Sequence, residues 1–331
     1  MGHRLLMTLS TLAVIVLFGT VPATAQGDVA ADGWTPPRTA DGRPDLQGVW
    51  DYRTMTPLER PDDLAGKQFF TDEEAAAFER ESVERRHKDR RTADGLSAAA
   101  DVANAYNEFW WDYGKKLTRD KRTSLIVDPP DGRIPRTEAA EERAAARREA
   151  RRNRGPAAGP EDRGLWERCI TRSVPRLSGA YNNNFQLFQS ADHVVILNEM
   201  IHEARIVPLD GRPHIGPQIG QWLGDSRGRW EGDTLVIDTT NFTDKTNFRG
   251  SGRTLHLVER FTRVDPETLL YQVTIEDPTT FAAPWTFVLP ATRNASPIYE
   301  YACHEGNYGM FNLLAGARTE DAAAKQAEES K

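Results

Sequence analysis

Cysteine is nearly missing from this chain: Cys169 and Cys303 are the only two in 331 residues. They have no C-x-x-C spacing, so a zinc module built on such pairs is disfavoured. Basic charge is also short. Lys and Arg number 42 against 49 Asp and Glu, a net charge of −7, and an acidic chain with no dominant basic stripe disfavours a nucleic-acid partner. After the first 25 residues no run is apolar enough to cross a bilayer. A P-loop, a G-x-G-x-x-G after a strand, an H-E-x-x-H and a G-x-S-x-G are all absent. The chemistry must therefore be sought outside those nucleotide, zinc-peptidase and serine-hydrolase patterns.

The first residues form the pattern of an export signal. Arg4 supplies the positive start, Leu5 to Val21 the apolar stretch, and Ala23-Thr24-Ala25 a small-x-small cleavage site before Gln26. No Cys lies near that site, which argues against a lipid anchor. The expectation is a periplasmic or secreted protein with no membrane span after cleavage. In an oxidising compartment the leading reading of Cys169 and Cys303 is a disulfide, and closing so long a loop would remove roughly 5 kcal/mol of unfolded-state freedom. The rival is a divalent metal site, either with His304 beside Cys303 or with two or three histidines and a carboxylate.

Five regions follow from pattern: a signal at 1–25, an extended lead-in and first strand at 26–63, helical insertions around one strand at 64–164, a β core at 165–316 and a disordered tail at 317–331. Thr71-Asp72-Glu73-Glu74 is a capping box and predicts a surface helix to about residue 91. Tyr106, Phe109, Trp110 and Tyr113 recur at helical spacing, which predicts a core-facing aromatic stripe, with an aromatic wall of a binding cleft as the alternative. Residues 137–154 are rich in Ala, Glu and Arg and predict a solvated helix or a partly disordered excursion, followed by a Pro/Gly linker.

From Leu165 the period becomes two. HVVILN, ARIVPL, TLVIDT and PWTFVL are strand-like, and the runs around Asp265-Pro266-Glu267-Thr268 make a hairpin. Successive hairpins without intervening helices predict a mainly β fold with helical insertions. An antiparallel β-barrel is favoured and a sandwich is the alternative. Leu269, Tyr271, Val273 and Ile275 share one face, as do Leu255, Leu257 and Phe261. Glu259 lies on that second face and Asp238 interrupts an apolar run. A carboxylate there must be paired or have a raised pKa; Arg260 and Arg229 are the cations considered.

The stretch from Gln189 to Phe242 carries more polar side chains than a fold needs. His304, His202 and His214 are candidate acids or bases, with Glu305 and Asp225 as carboxylate partners. The expected disulfide would bring Glu167 and Arg168 to His304 and Glu305, which makes His304 the first choice. Glu203 and Arg205 read as a surface pair. Arg212 and Arg229 suit an anion, the amides of Asn182, Asn183, Asn184 and Asn241 suit hydroxyl groups, and Tyr181 and Trp222 offer stacking surfaces.

RPDLQGVW at 43–50, RTSLIVDPPDGRIP at 122–135, YNNNFQ at 181–186, PLDGRPH at 208–214, GDSRGRWEGDTLVIDTTNF at 224–242 and YACHEGNY at 301–308 together resemble a family of exported bacterial proteins of uncharacterised function. Gly48-Val49-Trp50 resembles the opening strand of a lipocalin-type barrel. The resemblance implies export and a single folding unit. Three functions are carried forward: acid–base chemistry (lyase, isomerase or hydrolase) on a hydroxylated small molecule or carbohydrate derivative, ligand storage in an apolar barrel without catalysis, and an envelope interaction protein using the 71–91 helix and the aromatic stripe.

Overall fold

The computed structural model describes residues 33–87, 108–154, 157–172, 174–245 and 248–330. The signal expected at 1–25 and Tyr106 lie outside them. The described residues form one ten-stranded antiparallel sheet: β1 (Gly48–Asp51), β2 (Ile126–Asp128), β3 (Asn184–Gln189), β4 (His193–Asn198), β5 (Ala204–Pro208), β6 (Asp225–Glu231), β7 (Thr234–Thr240), β8 (His256–Arg263), β9 (Thr268–Glu276) and β10 (Trp285–Asn294). The order is β5-β4-β3-β1-β10-β9-β8-β7-β6, with β2 added beside β10. Three helices lie outside it: α1 (Asp72–Arg86), α2 (Glu138–Arg154) and α3 (Tyr308–Glu329).

The meander β6 to β10 follows from alternation. Along β9 the residues Leu269, Tyr271, Val273 and Ile275 are buried and their neighbours half-exposed, as a sheet wet on one face requires. Short β1 sits in the middle of the sheet, joining β3 to β10. Its Trp50 is fully buried, donates from Nε1 to Leu46 O at 2.9 Å and lies under the guanidinium groups of Arg263 and Arg293. The inner face is filled with aromatic rings, including Phe261 on Tyr271 with centroids 4.7 Å apart and Phe281 edge-on to Trp285.

The barrel expectation is met in part. The sheet is not closed by ladder hydrogen bonds, yet its two edge strands lie side by side: a Cβ on Gly228 would stand 2.6 Å from Leu209 Cδ2 and 2.9 Å from Val207 Cγ1. Only a residue without a side chain lets β6 approach β5 this closely.

The helical regions correct two expectations. The capping box at Thr71 and Glu74 is present in both directions, at 3.3 and 2.9 Å. The stripe at 109–113 is not helical: one short turn covers Glu108–Trp110, and Phe109 and Trp110 are 83% and 59% exposed. A close backbone approach holds the following chain straight, since a Cβ on Gly114 would lie 2.3 Å from the Thr54 carbonyl carbon. The tail expected to be disordered from 317 is instead the second half of α3, for which Ala, Glu, Gln and Lys are good formers. Arg318 ties it back by donating to Ala157 O and Ala158 O.

Candidate functional site

Cys169 and Cys303 are bonded to each other. The disulfide fastens the loop at 165–172 to the chain at 301–307, at the end of the sheet where β3 starts and β4 ends. Backbone strain concentrates there. Cys169, Asn182, Ile201 and His202 all have positive φ, 56°, 56°, 66° and 43°. Such residues cost about 1–3 kcal/mol each and gather at functional sites; a β-branched Ile in that region is the least favourable of the four.

Under this corner lies a buried polar layer. Glu259 is 1% exposed and takes both Arg205 Nη1 and Nη2, at 2.5 and 3.0 Å, while the Tyr271 hydroxyl donates to it at 2.6 Å. Burial works against the Arg205 charge, but Glu259 outweighs it and raises the pKa; burial and then Glu259 hold the Tyr271 phenol well above its usual value. The partner of Glu259 is therefore neither Arg260 nor Arg229. Nor do Glu203 and Arg205 form a surface pair: Glu203 is bound to Arg176 and Thr171. Burial pulls Arg176 down to about 10. The space beside these groups is about 20 Å³, room for one water.

The open space is outside that layer. A cleft of about 370 Å³ is lined by Trp110, Asp112, Tyr181, Asn182, Glu199 and Tyr301. Its geometry is firmly set. Glu199 Oε2 accepts from Asn184 N at 3.0 Å and Asn184 Nδ2 at 2.8 Å, and Oε1 has no hydrogen bond among the described residues. Asp112 pairs with Arg53, and its amide donates to Ala180 O at 2.7 Å. Asn183 is 1% exposed; its Oδ1 accepts from Gly179 N and its Nδ2 donates to Asp112 O, both at 2.7 Å. Tyr181 stands 6.3 Å from Tyr301 and 6.5 Å from Trp111, ring to ring. Burial, and then Tyr301, keep its phenol above the usual pKa, so Tyr181 is a neutral hydrogen-bonding group at physiological pH.

The anticipated residues divide between places. Tyr181 and Asn182 reach the cleft; Asn183 and Asn184 build its wall instead of touching its contents. His202 is close by, with Nδ1 3.0 Å from Tyr301 O. His304 and Glu305 are exposed beyond the disulfide. The disulfide brings the two segments together, with Asn307 Nδ2 donating to Glu167 O at 3.4 Å, while the Glu167 carboxylate pairs with Arg163 and Arg168 lies 3.9 Å from Glu161. Arg212 closes on Asp210, which it holds down at about 2, and Arg229 pairs with Glu231 at 2.7 Å; both are solvated local pairs. Trp222 is partly exposed in the β5–β6 connection.

His214 and Asp225 belong to a second cluster, on the outer face of the sheet. His214 Nδ1 lies 2.8 Å from Asp225 and its Nε2 3.0 Å from Asp238; His256 Nε2 lies 2.9 Å from the other Asp238 oxygen and its Nδ1 3.4 Å from Glu276. Each ring nitrogen lies within 3.4 Å of a carboxylate oxygen, so both rings are held between acidic partners. This ladder is a clasp for the 209–224 connection. Asn241, expected to bind substrate, is the second clasp: its Nδ2 donates to Ile215 O, Gly216 O and Ile219 O, at 2.9 to 3.3 Å. Among the described residues no cluster of three or more His, Cys, Asp or Glu is arranged to hold a metal ion.

The clasp makes a pH prediction. Asp238 sits below its usual pKa, because the hydrogen bonds and charges of His256 and His214 outweigh its burial; His256 sits above its usual value, through its hydrogen bond to Asp238. The raised His256 stabilises below its unfolded pKa and loses this as pH rises through the folded value. The depressed Asp238 stabilises above its unfolded pKa and loses this as pH falls. The 209–224 connection is therefore held best between about pH 4 and pH 6.5. Amide exchange of residues 212–216, corrected for intrinsic rate, is expected to show more protection at pH 5.5 than at pH 8.5. Asp238→Asn should remove that difference; an unchanged pH profile in the variant would contradict the assignment.

Sequence reasoning missed Glu199, Asp112 and Tyr301. Asp112 and Tyr301 carried a signal: Asp112 lies between Trp111 and Tyr113, and Tyr301 opens the YACHEGNY segment. No family model, curated protein or solved structure matches the chain.

Proposed function

We propose that this protein is an exported enzyme that binds a hydroxylated, carbohydrate-type molecule in the Trp110–Glu199–Tyr301 cleft and acts on it by acid–base chemistry. The observation that carries the reading is the composition of the cleft: three aromatic rings, two carboxylates and one amide around about 370 Å³. Aromatic faces stack on the C–H faces of a sugar ring, while carboxylates and amides take its hydroxyls. Two carboxylates facing one ligand are also the minimum for general acid–base work on an acetal or an alcohol. Glu199, with Oε2 anchored by Asn184, is the proton-transferring group. Asp112 orients the substrate, and Tyr181 donates to an oxygen that gains charge.

Three further features fit the reading. The disulfide suits an oxidising compartment, in line with the leader-like first residues. Side-by-side edges at β5 and β6 suit a barrel whose interior is packed, so ligand is taken at the mouth. Strain at Asn182, Ile201 and His202 surrounds the cleft and not the outer-face ladder.

The test is turnover of a panel of oligosaccharides and glycosides, read by mass spectrometry. Wild-type protein is expected to convert at least one, and Glu199→Gln to lose about 10²–10⁴-fold in kcat with near-normal binding. A Glu199→Gln variant with full activity would overturn the assignment. Binding without turnover in the wild type would leave a recognition protein in place of an enzyme.

A further inference from the structure

The wall of the cleft has a second side. The side chains of 110–113 alternate between two spaces: Trp110 and Asp112 face the cleft, whereas Trp111 and Tyr113 face a neighbouring groove of about 450 Å³. The chain at 179–182 follows the same division, with Gly179 and Ala180 in the groove and Tyr181 and Asn182 in the cleft. The hydrogen bond from Asp112 N to Ala180 O joins the two segments into one thin partition.

The charges on the two sides are opposite. The cleft has Asp112 and Glu199; the groove has Arg86 and Arg249. Arg86 lies over the Tyr113 ring, 5.7 Å from its centroid. Arg249 is held in a left-handed backbone conformation, φ 56°, and makes no hydrogen bond or ion pair among the described residues. The carboxylate that acts on it through charge, Glu59, is engaged by Arg136 at 3.4 Å and by Ile134 N at 3.1 Å. Burial hardens the Tyr113 phenol, pushed up to about 12 with help from Glu108, so it does not neutralise Arg86. Two guanidinium groups without carboxylate partners among the described residues, in a groove with aromatic faces, are the usual equipment for holding an anion on a ring.

We infer that the groove is an anion subsite, and that the ligand of the cleft is an acidic saccharide whose carboxylate or sulfate group reaches across the partition to Arg86 and Arg249. This rests on the saccharide reading of the cleft and narrows it. A hydroxyl-rich ring fills the Trp110 side, while the next ring lies along Trp111 and Tyr113.

The experiment is isothermal titration of wild-type protein with three tetrasaccharides: a uronic-acid oligomer, a sulfated neutral oligomer and the unmodified neutral oligomer. At least one anionic ligand is expected to bind roughly ten- to a hundred-fold more tightly than the neutral one, the range of a charge-assisted hydrogen bond, with a preference that shrinks as salt rises. The uronic and sulfated arms tell which anion is taken. In Arg86→Gln/Arg249→Gln the preference should vanish while neutral binding persists; Arg86→Lys/Arg249→Lys should keep part of it. Equal binding of charged and neutral ligands by the wild type, or a preference that survives the Gln variants, overturns the subsite and leaves the cleft reading standing. Failure of all three ligands to bind overturns both.

Discussion

Glu259→Ala is expected to destabilise the protein by about 3–5 kcal/mol. The loss comes less from the missing bonds than from what remains. Arg205 is 8% exposed, and without Glu259 its guanidinium is a buried charge with no partner, while the Tyr271 hydroxyl loses its acceptor. Arg176, already pulled down by burial, shares the same layer and adds like-charge repulsion. Replacing both members of the pair gives the sign test. Arg205→Met with Glu259→Leu removes the stranded charge, and the double variant is expected to be more stable than Glu259→Ala alone. Denaturant unfolding of the three proteins measures this. A Glu259→Ala midpoint equal to wild type would show that the pair is not buried as described.

Cys169→Ala with Cys303→Ala is expected to cost about 2–5 kcal/mol. The bridge closes a loop with a sequence separation of 134, and that loop contains all of β3 to β10. A local effect should accompany the global one. The disulfide holds the 301–307 chain, through which Tyr301 reaches the cleft and His202 is positioned. Thermal unfolding with and without reductant reads the first effect, and saccharide affinity reads the second. Affinity unchanged in the bridgeless variant at a temperature where it is folded would separate the staple from the site.

The β core was legible because alternation has one explanation. On β9 every second residue is apolar and buried, and on β8 the buried face alternates in the same way through Leu257, Glu259, Phe261 and Arg263. The same rule held enough information to place Arg205: it shares a face with Val207, which is fully buried, and so points inward toward Glu259. Glu203 and Arg205 are near in sequence and opposite in charge, which suggests a surface pair, but the burial of Val207 two residues on is the stronger signal. β3 was obscured by its own polar beginning. Three asparagines read as a binding surface, whereas the buried amide of Asn183 is what a sharp turn before a central strand requires.

The cleft was harder to see, for a physical reason. Its residues come from 110–112, 181–182, 199 and 301, four segments without a shared period, brought together by a disulfide and by backbone hydrogen bonds between loops. Histidines drew attention because they titrate near neutrality. Two of them, His214 and His256, lie with both ring nitrogens against carboxylates on the outer face, away from the cleft. A side chain's competence depends on which of its atoms are already engaged, and a sequence does not display that.

Hydrogen–deuterium exchange with and without a bound saccharide tests the central claim most directly. The account predicts added protection at 110–113, 179–182, 199–202 and 301–303, with the 212–216 connection and the outer face of β6 to β9 unchanged. Protection confined to the His214–Asp238–His256 face would contradict it.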